Sequence, residues 1–139
     1  CEGCDARVMA HVDGQKLKQV LFNLLSNAVK FTSEGGHVSA SFRISSDGNP
    51  TIVVQDDGIG MPTYLSPVAL APFSASEDTL NHGRHGAGLG LPLVRQLVDL
   101  HHGAVNIESE TGKGTTVTVT LPANRLVKHF DETPERLIA

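Results

Sequence analysis

Two pairs of alternating segments bound what this 139-residue chain can fold into. Residues 37–45, HVSASFRIS, and 51–56, TIVVQD, flank the turn residues DGN; residues 104–110, AVNIESE, and 115–122, TTVTVTLP, flank TGKG. Period-two alternation around glycine-bearing turns reads as antiparallel hairpins. Ahead of the first hairpin, Leu17, Val20, Leu21, Leu24, Leu25 and Ala28 recur at helical spacing behind a capping Asp13, and TSEGG follows Phe31. A helix is expected over residues 14–31. A second is expected from Leu89 to His101, with Gly103 as its stop. RVMAHV (7–12) reads as a short strand and 63–71 as a short helix, and no segment repeats. Hairpins and helices that each carry one apolar face stack as a two-layer α/β sandwich, of the α+β class.

Composition narrows the function. Apolar residues are 40% of the chain, with no Trp, one Tyr and 14 Gly, as in an ordinary domain with glycine-dependent loops. At this length it is one domain with enough chain for a core. A formal net charge of −4 lacks the basic face of a nucleic-acid binder. No apolar stretch approaches the about 20 residues of a membrane span, so no membrane contact is expected of this domain. No leader pattern opens the chain, and a start at Cys1 reads as a piece of something longer. Cys1 and Cys4 form a CxxC without a second ligand pair at metal spacing, which reads as two incidental thiols.

The helix carries an anomaly. Asparagine is a poor helix former because its amide competes for backbone hydrogen bonds, yet NLLSNAVKF (23–31) holds two. Lys16, Gln19, Asn23, Asn27 and Lys30 form a stripe roughly 80° wide, and Asn23 lies roughly 10 Å from Lys30 along the axis. An amide oxygen can ligate Mg²⁺, which prefers oxygen and keeps some waters. A lysine adds a point charge for phosphate. Taken alone, such a stripe is what any solvated helix face shows.

Two other stretches change that balance. In QDDGIGMP (55–62), Asp56 ends an apolar strand, and Gly58 and Gly60 permit close backbone approach. A carboxylate there can accept from an exocyclic amine. Adenine offers one, whereas guanine presents a carbonyl. By itself Asp-Gly is also a common turn pair. In HGAGLGLPL (85–93), Gly86, Gly88 and Gly90 lead into a helix, whose free N–H groups and dipole suit an anion. It is neither a dinucleotide fingerprint nor a Walker loop, since no strand directly precedes it and no Lys-Ser/Thr follows.

In this order, NLLSNAVKF, DDGIG, GAGLGLPL and GKGTTVTVTLP resemble the asparagine box and glycine boxes of sensor histidine kinases. The matching part is their catalytic ATP-binding domain, of the group that also holds gyrase, the heat-shock chaperone ATPase and mismatch-repair ATPases. GLGLPL resembles kinases of the alphaproteobacterial cell-cycle type. The resemblance spans residues 13–122, leaving 1–12 as linker end and first strand and 123–139 as a tail. It implies a mixed, mostly antiparallel sheet of about five strands covered on one face by three helices.

The resemblance also implies roles. Asn27 would ligate Mg²⁺, with Asn23 beside it and Lys30 at the phosphates of ATP. Phe31 would line the adenine side, Asp56 would take the adenine amine, and Gly58 and Gly60 would shape the pocket. Gly86, Gly88, Leu89 and Gly90 would cradle phosphates, Arg84 would contact them, and Thr115 would assist adenine through a water. Phe73 matches a phenylalanine box, and 72–87 would be a mobile lid. His85 stands where the family usually has glycine. No histidine here has a phosphoacceptor context, so the nucleophile is expected on a separate dimerisation domain. The expected partners are that domain, a response-regulator receiver domain and a second copy of the full-length kinase, with the catalytic portion in the cytoplasm. Hydrolytic relatives carry a Glu four residues before the magnesium asparagine, where it activates water. Here that position is Asn23, which cannot take a proton. The competing readings are a serine kinase of the anti-sigma type and a nucleotide-binding module without transfer.

Overall fold

The computed structural model of the chain describes residues 9–70 and 90–127. Helix α1 spans Gly14–Phe31. It starts where Asp13 Oδ1 accepts from the N–H groups of Gln15 (3.1 Å) and Lys16 (3.2 Å), two donors that a helix start otherwise leaves bare. It stops at Thr32, an extended residue whose hydroxyl and N–H both donate to the Ala28 carbonyl. Strands β2 (Val38–Ile44) and β3 (Pro50–Asp56) form the first expected hairpin, and β4 (Ala104–Glu110) and β5 (Gly114–Thr120) the second. Between them runs helix α2, Gly90–Asp99.

The sheet order is β2-β3-β5-β4, antiparallel at every contact. Among the described residues it therefore holds four strands, all paired antiparallel, where a mixed, mostly antiparallel sheet of about five was expected. The short strand β1 (Met9–Ala10) does not join it; it pairs with β6 (Leu126–Val127) in a separate ribbon. That ribbon draws in the start of a segment expected to be an unplaced polar tail. The expected short helix at 63–71 is instead two 3₁₀ turns, Thr63–Leu65 and Val68–Leu70. Pro67 lies between them, and a residue without an N–H cannot continue a helical ladder. Two α-helices stand among the described residues where three were expected.

Strand register sorts the inward face into rows. Phe42, Ile52, Val119 and Val105 lie side by side across the sheet, and Ala40, Val54, Val117 and Ile107 form the next row. Ile52, Val54, Ile107, Val117 and Val119 pack under Val20, Leu24 and Ala28 of α1 and Val94 and Val98 of α2. Burial of each such side chain contributes about 1.5–3 kcal/mol. One row further, the pattern turns polar: Val38, Asp56, Thr115 and Ser109.

The two helices lie antiparallel, held at both ends. At one end the N–H of Asp13, before α1, donates to His101 Nε2 (3.1 Å), while His101 Nδ1 meets the Leu97 carbonyl (2.8 Å). His101 is thus buried as the Nδ1–H tautomer. At the other end Gly90, the first residue of α2, abuts Asn27: a Cβ on Gly90 would lie 3.2 Å from Asn27 Nδ2.

Candidate functional site

The site grows from that second end. Asn23 and Asn27 lie one turn apart on α1, and Asn27 meets Gly90 at the start of α2. Gln19 Nε2 donates to Asn23 Oδ1 at 3.4 Å, a long contact. The other half of that amide, Nδ2, is buried and has no hydrogen-bond acceptor among the described residues. An unmet buried donor costs about 1–3 kcal/mol, so the protein keeps a donor in a place where a ligand oxygen could use it. Lys30 lies one turn beyond Asn27, its Nζ 5.4 Å from the centre of the Phe31 ring.

The polar row supplies the opposite wall. Asp56 is only 8% exposed. Its Oδ1 accepts from the Gly58 N–H at 2.9 Å, and Oδ2 accepts from no other described residue. Thr115 stands opposite it on β5 and Ser109 beyond on β4. A cleft of about 520 Å³ opens at this end of the sheet, lined by Asp56, Ser109 and Gly114 and by Thr63, Ser66 and Pro67. The α1 amides are not among its lining residues; they border the helix–helix end instead.

Between these walls, Gly58 and Gly60 serve a purpose the residue pattern did not show. A side chain on Gly58 would strike the Phe31 carbonyl, which accepts from the Ile59 N–H at 3.0 Å. Gly60 (φ 61°) lies against the carbonyls of Glu110 and Gly114. The expected close approach to a ligand is here an approach to the chain's own backbone, which clamps the loop between the end of α1 and the β4–β5 turn. Phe31 contributes to that clamp through its carbonyl.

Of the expected residues, the structure brings Asn27 and Gly90 together where the helices meet, sets Asn23 and Lys30 on the neighbouring turns of α1, and places Asp56 and Thr115 side by side on the sheet. Phe31, Gly58 and Gly60 lie in the connection between the two. Phe73, Arg84, Gly86, Gly88 and Leu89, the 72–87 segment and Cys1 and Cys4 lie outside the described residues. Ser109 was missed. Its signal was present: Val105, Ile107 and Ser109 alternate inward, and a polar residue at an inward position needs a partner.

Asp57, beside the site, titrates below the usual carboxylate range because the His37 backbone N–H donates to it at 2.7 Å. Among the described residues no three His, Cys, Asp or Glu side chains converge on a point. The Asn27 amide oxygen is a donor that could serve a divalent ion whose other ligands come from a bound anion and water, a set that fits Mg²⁺.

The family model for histidine kinase-, DNA gyrase B- and HSP90-like ATPases matches residues 12–125. The circadian input-output histidine kinase CikA of Thermosynechococcus vestitus is 43% identical over 111 residues, covering 80% of this chain and 15% of that protein. Among solved structures, the mycobacterial sensor histidine kinase MprB superposes with a TM-score of 0.68 at 28% identity, over 79% of this chain and 72% of that one. Full-length ShkA in complex with AMPPNP superposes with a TM-score of 0.65 at 33% identity, over 77% of this chain and 21% of that one. The chain thus spans a small part of the length of CikA and of ShkA.

Proposed function

The chain belongs to the histidine kinase-, DNA gyrase B- and HSP90-like ATPase family, and on that premise we propose that it binds Mg·ATP and donates the γ-phosphoryl group to a histidine on a separate helical domain. The observation that carries this reading is Asn27 against Gly90, with Asn23 one turn earlier on α1 holding an Nδ2 donor that is buried and unmet among the described residues. Asn23 and Lys30 give the phosphates a donor and a positive charge, and Asp56 takes the amine of the base. Bound through Asn27, Mg²⁺ would neutralise phosphate charge. The acceptor nitrogen attacks the γ-phosphorus, the bond to the bridging oxygen breaks, and ADP leaves with that electron pair.

Phosphoryl transfer asks mainly for positioning and charge stabilisation. Water attack asks in addition for a base, and Asn23 offers none. On this reading the chain alone is a donor without an acceptor. His101 is buried with both ring nitrogens engaged, which removes it as a phosphorylation site. The natural partners of this reading are a dimerised phosphoacceptor domain and, downstream, a receiver domain. The setting is the cytoplasm, where ATP is supplied; among the described residues no helix is long and apolar enough to cross a membrane.

The test is γ-labelled ATP with the chain alone and with a helical domain bearing a phosphoacceptor histidine. Label should appear on the added domain, be lost in acid and survive in base, while the chain alone releases little phosphate. Acid-stable label on serine would favour the serine-kinase reading, and no label despite ATP binding a module without transfer. Robust phosphate release by the chain alone would overturn the kinase reading in favour of a hydrolase.

A further inference from the structure

Ser109 is 8% exposed, and its hydroxyl has more neighbours than any other in the polar row. A hydroxyl holds one hydrogen and two lone pairs, so its bonds can be assigned by elimination. The Met61 N–H donates to Ser109 Oγ at 2.9 Å and occupies one lone pair. The Ser109 hydrogen goes to the Gly114 carbonyl at 3.0 Å. What remains facing Thr115 Oγ1, at 2.8 Å, is the second lone pair. Thr115 must therefore be the donor in that contact, and its only hydrogen is used there. For any further partner Thr115 offers lone pairs alone.

We infer that Ser109 is a positioning residue that fixes the polarity of Thr115, so that Thr115 and Asp56 present two acceptors side by side and favour an exocyclic amine over a carbonyl at the base position they meet. The inference rests on the nucleotide reading above and extends it to specificity. Asp56 and Thr115 are direct cross-strand partners, and Asp56 Oδ1 already holds the Gly58 N–H. Oδ2 and Thr115 Oγ1 are left to accept, either from an exocyclic amine or from a water that such an amine orients. A base with a carbonyl in place of the amine would meet acceptors only. A freely rotating Thr115 could turn its hydrogen to that carbonyl and relieve the clash. The bond to Ser109 prevents that turn. Rejection of the wrong base through unmatched buried polar groups is the stronger form of discrimination.

The test compares ATP with inosine triphosphate, whose base carries a carbonyl in place of the amine and an N–H at N1 in place of an acceptor. Affinities are measured by titration calorimetry for the wild-type chain, Ser109→Ala, Thr115→Ser and Thr115→Val. Wild type should prefer ATP. In Ser109→Ala the preference should shrink about tenfold, with inosine triphosphate binding unchanged or tighter. Thr115→Ser, which keeps the hydroxyl, should retain the wild-type ratio, and Thr115→Val should lose it. If Ser109→Ala fails to fold, Ser109→Cys, whose thiol is only a weak hydrogen-bond partner, carries the same comparison. A merely structural Ser109 would weaken both nucleotides equally and leave the ratio unchanged, which overturns the inference while sparing the nucleotide site. Wild type binding neither nucleotide overturns the site reading and this inference together.

Discussion

His102 shows how much one residue can reveal about a helix end. It follows α2 at φ 58°, the left-handed region that side chains with a Cβ avoid. Its N–H donates to the Asp99 carbonyl at 2.9 Å and that of Gly103 to the Val98 carbonyl at 3.0 Å. This double bond pattern is the Schellman closure, in which the first residue past the cap is usually glycine. The glycine expected to stop the helix, Gly103, instead sits one position later, where a Cβ would lie 2.6 Å from the Thr120 carbonyl oxygen. His102→Gly should therefore raise stability by about 1 kcal/mol, read as a higher urea midpoint at unchanged slope. A lower midpoint would mean that the imidazole makes a contact that outweighs the strain. The residue types at the site were legible in the same way. Asn23, Asn27 and Asp56 each sit where local propensity argues against them. For Ser109 only the inward position was legible, because its role depends on partners brought together from the loop at residue 61 and from residues 114–115.

At the scale of elements, the antiparallel helix pair is what sets the amides of α1 against the start of α2. His101 holds the far end by accepting the Asp13 N–H. His101→Ala would leave that N–H without its acceptor and should cost about 1–3 kcal/mol. Amide exchange should show the loss first in the opening turn of α1. Unchanged exchange there would mean that apolar packing alone sets the helix position. Both hairpins and both helices were readable from periodicity, because each element carries its pattern within its own span. The β1–β6 ribbon was not, since Met9–Ala10 and Leu126–Val127 are too short to alternate and find each other only in the folded chain. The 63–71 segment misled for a related reason: its apolar spacing is helical, but Pro67 interrupts the ladder.

For the molecule as a whole, charge and ligand act on the folded state together. Asp13 titrates below the usual carboxylate range, chiefly through the Lys16 ammonium that donates to it at 2.6 Å, with the Lys16 backbone N–H adding to this; Asp57 does so through the His37 backbone N–H. Lowered folded-state values mean that both carboxylates favour the fold when ionised. Their contribution is complete above the ordinary range near pH 4 and is lost as pH falls through the lowered values. Both groups are exposed, so the effect should be modest. The urea midpoint should decline between pH 5 and pH 3, and Asp57→Asn should flatten part of that decline; a variant with the wild-type slope would contradict the assignment. The central claim is that asparagines in α1 and a carboxylate at the end of β3 together hold Mg·ATP. It is tested most directly by titrating ATP into the wild-type chain and Asn27→Ala, each with and without Mg²⁺. The account predicts binding that Mg²⁺ strengthens in the wild type, and an at least tenfold loss of that magnesium-dependent affinity in Asn27→Ala. Equal affinity in all four titrations would contradict it.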